Sequence, residues 1–508
     1  MQFSPLTLIP GVKTTPTKTS RSANWQEVNL MRWVAGKMRP VGGWEKLAYD
    51  PFPSDCRATH TWSDLAGREI TAYLCEQHVF VDLGDGLVDI SPEVPLSPPV
   101  GTNSPGGYGD YTFNYDTYGT ERPERENTKP LTSGFYADNW GQNLIIMTSA
   151  DGRMLEWDPS VLDGKLVPVE NAPTGNRAFV ITPQRHILLF GAGGVNNRFA
   201  WCSQEDNTDW NYTSVTNTAG YYDFQPMASV ITACRSGSEV VFWTTSGSVF
   251  VIRYIGVPFV FAYDEISTGS TPVSPASVVN TPMGAVWFAA NGPWRYEANS
   301  VVPISCDVWP WVVDHALASA ARFTSAAITL DTFSEIWWFF PSTDSDKPGN
   351  HRYIQWNYKE GWWSQGTLSR LCGSSSTYTR FPIMSDGKSV YRHESGNYYG
   401  SFDENNLPWA KTFNLNVNIG QLGTFNKLLP DIDGDISALV FQLEYNIPRA
   451  GALLRDQLTP EAEMLPSGYV PFRHTGRDFR VIVKQKGYGV SPWAMGETGV
   501  DITPRGEK

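Results

Sequence analysis

Short apolar runs punctuated by turn residues set the pattern along most of the chain. Ile70 to Leu74, His78 to Leu83, Asn143 to Met147, His186 to Phe190, Val240 to Thr244, Val249 to Tyr254, Ala285 to Ala289 and Glu335 to Phe340 are rich in β-branched or aromatic side chains. Each is bounded by Gly, Pro, Asn, Asp or Ser. Runs of this length and composition predict β-strands. Glu335-Ile-Trp-Trp-Phe-Phe340 is almost wholly apolar, which predicts a strand buried on both faces of its sheet. One segment, Asp307 to Phe323, carries apolar positions at helical spacing and predicts a short helix.

A loose repeat runs through these strands. A polar residue followed by glycine separates one strand from the next at Asp85-Gly86, Asp151-Gly152, Ser246-Gly247, Asn291-Gly292 and Asp386-Gly387. Two further hairpins fit around Asn196-Asn197 and Gly349-Asn350. Glycine supplies the positive φ of a tight hairpin, and Asp, Asn or Ser tolerates the place beside it. The steps are about 45 residues, with a longer first one, and that is the period of a four-stranded propeller blade. The pattern predicts an all-β chain whose body is a β-propeller of about seven blades, with six or eight as neighbouring counts. A pair of irregular β-sandwiches is the competing architecture.

Three regions follow. Residues 1–56 read as an extended N-terminal arm leading into the first blade. Residues 57–400 read as the propeller, interrupted at 92–130 by an insertion rich in Pro, Gly, Tyr and charge. Residues 401–508 read as a β-sandwich-like cap, with strands at Thr412 to Ile419, Leu439 to Tyr445 and Arg477 to Gln485, and a partly helical excursion at Pro448 to Ser467.

Composition narrows the function. Of 508 residues, 18% are charged, against roughly 25% in ordinary globular chains. The aromatics are heavy, with 20 Trp, 22 Tyr and 25 Phe. The net charge of −13 argues against tight binding to phosphate backbones, which needs clustered cations. It suits a wall past which DNA slides. No charged segment followed by an apolar run opens the chain, and no apolar stretch is long enough to span a bilayer, so neither a signal peptide nor a membrane span is expected.

Candidate chemistry is sparse. Cys56, Cys75, Cys202, Cys234, Cys306 and Cys372 are scattered without a CxxC pair, which predicts free thiols rather than a zinc site or disulfide scaffold. The seven histidines show no HxH or HxxxH spacing, and His315 on the short helix reads as a satisfied polar residue. Neither a GxSxG elbow nor a P-loop is present, and Gly191-Ala-Gly-Gly194 reads as a loop. No cofactor, metal or catalytic residue is expected. The enzymatic alternative is a glycan-binding or glycan-cleaving propeller using a carboxylate pair drawn from Asp64, Asp82, Glu205, Asp206 and Asp209. Ser203 to Trp210 has some likeness to a sialidase Asp-box, without that box's glycine in register and without recurrence in other blades. Met31-Arg-Trp33 and Pro293-Trp-Arg-Tyr296 interleave aromatic and basic residues, and read as packing rather than base stacking.

The opening of the chain carries a resemblance. Leu8-Ile-Pro-Gly-Val12 is followed by Trp25-Gln-Glu-Val-Asn-Leu-Met-Arg-Trp33 and Gly36-Lys-Met-Arg-Pro-Val-Gly-Gly-Trp44. Later runs include Ser238 to Tyr254, the Gly-Pro-Trp turn at Gly292, His351-Arg-Tyr-Ile-Gln-Trp-Asn357 with Trp362-Trp-Ser364, and Gly476-Arg-Asp-Phe-Arg480 with Trp493-Ala-Met495. Together they resemble the tail nozzle proteins of short-tailed bacteriophages, also called tail tubular or packaged-DNA stabilisation proteins. The 92–130 insertion has no counterpart in that family. The resemblance implies a structural, non-enzymatic subunit of a six-fold ring at the distal end of the tail. Such a ring docks on an adaptor ring, carries fibres or spikes, and retains viral DNA until ejection. Six copies at −13 each would carry −78. It further implies a virion protein assembled in the host bacterial cytoplasm. Trp25, Asn29, Arg32, Trp33 and Trp44 are the candidate interface residues, anchoring the arm against the propeller or a neighbouring subunit; the alternative is that they complete the last blade as core. The insertion is then a candidate gate or fibre-docking loop.

Overall fold

A computed structural model of the chain describes residues 4–6, 8–14, 23–84, 86–98, 134–161, 164–316, 324–343, 349–375, 381–396, 398–399, 406–415, 422–446, 456–489 and 491–505. Seven four-stranded antiparallel sheets follow one another as the blades of a β-propeller. Their innermost strands are Cys56–Ser63, Phe135–Trp140, Ala178–Ile181, Val230–Ser236, Val278–Thr281, Ala326–Leu330 and Cys372–Ser374. Each packs beside the next, and the seventh packs beside the first, so the ring closes.

The expected turns are largely those of the repeat. Gly152, Gly247, Gly292, Gly349 and Gly387 have positive φ and join the second and third strands of blades two, four, five, six and seven. Asn196-Asn197 serves the same place in blade three. In blade one that place falls at Glu76 to His78, whereas Gly86 lies between the third and fourth strands. Asp85 and residues 99–133, the bulk of the insertion, lie outside the described residues. The insertion's entry is clamped to blade two: Arg153 donates to the Val94 and Pro95 carbonyls, and Asp151 accepts from the Ser97 amide.

The N-terminal segment departs from expectation. It is not an extended arm feeding the first blade. Strand Trp44–Lys46 pairs with Val390–His393 and forms the outermost strand of blade seven, so the ring is closed by sequence from both ends of the propeller. Upstream, Ile9–Val12 and Asn24–Asn29 extend one sheet of a β-sandwich through the pairing of Asn24–Asn29 with Trp409–Thr412. Met31–Val34 and Lys37–Pro40 extend the other sheet beside Trp493–Pro504. Leu30 carries the chain between the two sheets in a left-handed conformation (φ 53°). The physical reason is apolar burial: Trp25 and Val28 of this strand need a core, and Phe441, Val481 and Val483 of the C-terminal strands supply it.

The C-terminal sandwich is therefore composite. One sheet runs Ile9–Val12, Asn24–Asn29, Trp409–Thr412, Phe479–Gln485, Leu439–Asn446, Asp456–Leu458; the other is built on Gly423–Gly434 and Trp493–Pro504. Phe425 of one sheet meets Phe479 of the other at 5.5 Å between ring centroids. That core runs without a break into blades five and six through Phe288, Trp338, Phe340, Trp356 and Trp363. Each indole removes about 150–250 Å² from water, an upper contribution of about 4–6 kcal/mol. The predicted helix is present as Trp309–His315; its continuation at 317–323 lies outside the described residues. So do 416–421 and 447–455, and the described part of the Pro448 to Ser467 excursion contains the strand Asp456–Leu458 rather than a helix.

Candidate functional site at the joint of arm, propeller and sandwich

The five candidate interface residues are all buried within the single chain. This corrects the reading in which they face a neighbouring subunit: no surface of theirs is left for one. Trp25 and Trp33 point into the sandwich core, 6.5 Å apart between ring centroids. Trp44 lies on the strand that closes blade seven, in agreement with the last-blade alternative.

Asn29 ties three parts of the chain. Its amide donates to Asn406 Oδ1 at 3.0 Å and the Leu407 carbonyl at 3.2 Å, while its Oδ1 accepts from the Thr367 amide of blade six at 2.8 Å. The backbone beside it is held too. Tyr353 Oη accepts from the Leu30 amide, and Ser364 Oγ donates to the Met31 carbonyl at 2.7 Å.

Arg32, 1% exposed, is the electrostatic centre. Its guanidinium contacts Glu394 Oε1 at 2.6 Å and Glu335 Oε2 at 3.1 Å, and lies 3.8 Å over the Phe333 ring. Glu335 opens the apolar strand of blade six and also accepts from Trp337 Nε1. Burial pushes the Glu335 carboxyl up, and Arg32 pulls it back. Glu394 Oε2 accepts from the Gly42 amide. The Gly42-Gly43 pair is explained by crowding. A Cβ on Gly42 would sit 2.8 Å from Glu394 Cα, and one on Gly43 would collide with the Tyr398 backbone. Glycine is required here for close approach, since neither residue has positive φ.

A second polar cluster adjoins the first. Trp44 stacks on His393 at 5.3 Å and meets Tyr399 edge-on at 5.5 Å. Buried Arg370 donates from Nε to His393 Nε2 at 2.9 Å, and burial lowers its pKa to about 10. That bond requires Nε2 unprotonated. Burial, then Arg370 and Arg32, holds His393 well below the ordinary imidazole range. The sign follows: between its folded value and about 6.5 the unfolded chain binds the extra proton, so stability is present above about pH 6.5 and is lost as pH falls. His186, lowered by burial, acts in the same direction. Stability is therefore expected to fall between pH 7 and pH 5, by up to about 1.4 kcal/mol per pH unit for each such histidine, and the melting temperature with it. His393→Gln, which keeps an acceptor for Arg370, is expected to flatten its share of that slope; parallel thermal profiles of the two proteins check this.

The joint holds parts together through side chains that are themselves buried: Arg32, Glu335, Arg370 and His393. Glu335, Glu394, Arg370 and His393 were not singled out from the sequence. A lone acid opening an otherwise apolar strand is the signal that could have pointed to Glu335, since a buried carboxylate requires a cation.

Each of the five glycosidase candidates is engaged by a local turn or an ion pair. Asp64 accepts from the Arg68 and Ala66 amides and pairs with Arg68 Nε at 3.1 Å. Asp82 accepts from the Gly84 amide and the Tyr49 hydroxyl. Glu205 pairs with Arg185, and Asp209 accepts from Asn217. Asp206 accepts from the Thr208 hydroxyl and amide, bracing the Ser203 to Trp210 turn over buried Trp210. The backbone amide of Arg68 holds Asp64 below the ordinary carboxylate range, and the Thr208 hydroxyl does the same for Asp206. A general acid needs the opposite shift.

His315 is satisfied by the Trp311 carbonyl at 2.8 Å from Nδ1. Among the described residues no three His, Cys, Asp or Glu side chains are grouped to hold a metal ion, and no helix is long and apolar enough to cross a membrane. Gly191 to Gly194 is a turn containing a short 3-10 segment, Ala192–Gly194.

No protein-family model matches the chain, and no curated protein matches it. Solved structures similar to it include the computationally designed Ika8 protein, at 9% identity over 76% of this chain and 99% of that one, with a TM-score of 0.38. A catalytically inactive virginiamycin B lyase from Staphylococcus aureus with quinupristin is similar at 9% identity over 69% and 98%, TM-score 0.39. BBS1N in complex with ARL6DN is similar at 8% identity over 70% and 97%, TM-score 0.38.

Proposed function

We propose that this chain is a structural subunit of a short-tailed bacteriophage tail, forming with further copies the ring-shaped nozzle through which DNA is retained and then ejected. The observation that carries the reading is the convergence of the nozzle-like opening motif on one joint. Asn29, Arg32, Trp33 and the Gly42-Gly43-Trp44 turn all serve to weld sandwich to propeller. Residues that resemble a family signature are thus used for rigidity and not for chemistry, as a load-carrying wall requires. The acidic balance fits a channel that passes DNA without sequence recognition. The proposed partners are an adaptor ring, fibres or spikes, and copies of the chain in a hexamer; the proposed location is the virion tail, after assembly in the host cytoplasm. The glycan-cleaving alternative is weaker, because each of its five candidate carboxylates is engaged in a local turn or ion pair.

A closed ring needs two different complementary patches on each subunit. The hairpin of blade four, between Ser248–Gly256 and Val260–Thr268, offers one: Val257 is 72% and Phe259 64% exposed at its tip, beside exposed Ile255. The double variant Val257→Asp, Phe259→Asp is expected to leave the melting temperature unchanged and to reduce assembled rings to monomers in light scattering. Unchanged assembly would remove this hairpin from the interface.

Cryo-electron microscopy of the source particles tests the function itself. A six-fold ring of this chain around the tail axis is the expected density. A peripheral position, or absence from virions, would overturn the nozzle reading.

A further inference from the structure

Three of the six cysteines, far apart in sequence, meet at one seam of the ring. Cys56 opens the innermost strand of blade one and is the register partner of Cys75 on the adjacent strand. Cys372 opens the innermost strand of blade seven, and its Sγ lies 3.6 Å from Cys56 Sγ and 3.4 Å from the Cys56 carbonyl. All three thiols are free and buried in one small core with Phe52, Tyr73, Ile383 and Val390. This is the place where the last blade meets the first.

We propose that Cys56 and Cys372 form an oxidation site that takes a single disulfide across the seam between blades seven and one, with a hydroperoxide as oxidant. A disulfide has an S–S distance of about 2.05 Å, so the two sulfurs close by about 1.5 Å through side-chain rotation. The reaction begins at Cys372, the most exposed of the three at 5%. Its sulfur attacks one peroxide oxygen, the O–O bond breaks, and the products are the Cys372 sulfenic acid and one water. The Cys56 sulfur then attacks the Cys372 sulfur. The S–O bond breaks, the S–S bond forms, and the hydroxide leaves as a second water with the Cys56 proton. Two thiols are oxidised by one electron each while hydrogen peroxide is reduced to two waters. Burial holds the Cys56 thiol up in its protonated form, and the hydrogen bond with Cys56, then burial, does the same for Cys75, so the site reacts slowly and only with a small oxidant.

The bond would close a loop between positions 316 residues apart. Cross-links constrain the unfolded chain more as the loop lengthens, and this one ties the ring at its point of closure. The inference concerns the propeller alone and stands apart from the nozzle reading.

The test uses the purified full chain, reduced with dithiothreitol or treated with hydrogen peroxide, then alkylated in denaturant and digested without reduction. Mass spectrometry is expected to find a Cys56–Cys372 linked peptide with Cys75 alkylated. The oxidised protein is expected to melt about 5 °C higher, reversibly on adding dithiothreitol. Cys75→Ala should keep both effects and Cys372→Ala should lose both. A Cys56–Cys75 link, an intermolecular link, sulfinic acids in place of a bond, or six alkylated cysteines after treatment would each overturn the proposal. So would a rise in melting temperature that persists in Cys372→Ala.

Discussion

Arg32→Met is expected to destabilise the protein by about 3–5 kcal/mol, the range for removing one partner of a buried ion pair. Arg32 is the cation shared by Glu335, which is fully buried, and Glu394, and its guanidinium lies over the Phe333 ring. Methionine restores much of the side-chain volume, so the loss reports charge and hydrogen bonding more than a cavity. Without the guanidinium, Glu335 must either stay charged in an apolar strand or take up a proton, and both raise the energy of the folded state. A urea unfolding midpoint well below that of the parent is the expected reading. The double variant Arg32→Met, Glu335→Gln should recover part of the loss, because the uncompensated charge is gone. Arg32→Lys should fall between, since an ammonium keeps the charge but cannot lie as a flat guanidinium does over the Phe333 ring. A parent-like midpoint for Arg32→Met would mean that the joint is held by its apolar contacts alone.

The propeller was legible because its repeat is written in backbone chemistry. A polar-glycine pair recurs where the second strand turns into the third in blades two, four, five and seven, at Gly152, Gly247, Gly292 and Gly387. The one misplaced turn, at Gly86, belongs to the following hairpin of blade one; the first step is long because the chain between Leu87–Asp89 and Phe135–Trp140 carries the insertion. The fate of the arm was not legible. Asn24–Asn29 reads as a strand, but nothing local says that its neighbour is Trp409–Thr412, or that Asn29 bonds to Leu407, 378 residues away. The site was half legible for the same reason. Trp25, Asn29, Arg32, Trp33 and Trp44 stand out as polar and aromatic residues in a tight segment. Their partners Glu335, Arg370, His393 and Glu394 are dispersed over blades six and seven and become a cluster only once the ring has closed.

The arrangement also orders the events of folding in a testable way. Each blade is made of consecutive strands except the seventh, which waits for Trp44–Lys46, and the sandwich waits for strands from both ends of the chain. The N-terminal segment is therefore a shared component of two units that cannot complete themselves without it. It contributes Val12, Trp25, Val28, Met31, Trp33 and Met38 to the core that runs from the sandwich into blades five and six.

A chain lacking residues 1–46 is accordingly expected to fail as a folded protein, the largest effect foreseen here. Its seventh blade would end at Val390–His393 with an unpaired edge, and Trp44 would no longer cover His393 and Tyr399. Trp409–Thr412 and Trp493–Pro504 would become open edges of the two sandwich sheets. Apolar surface around Trp338, Trp356 and Trp363 would face water. Open edges beside exposed apolar surface are the combination that leads to aggregation. The truncated chain should therefore be recovered as aggregate, or as a species that binds a hydrophobic dye and lacks a cooperative melt. Supplying residues 1–46 as a separate peptide during refolding should restore solubility, because the interface is built from strand pairing and core packing and does not depend on the covalent link at position 46. Substituting Arg32→Met in that peptide should weaken the rescue, which separates the ionic anchor from simple edge capping. If the truncated chain instead gave a soluble monomer with the parent's melting temperature, the arm would be an accessory and the joint described here would not be what holds propeller and sandwich together.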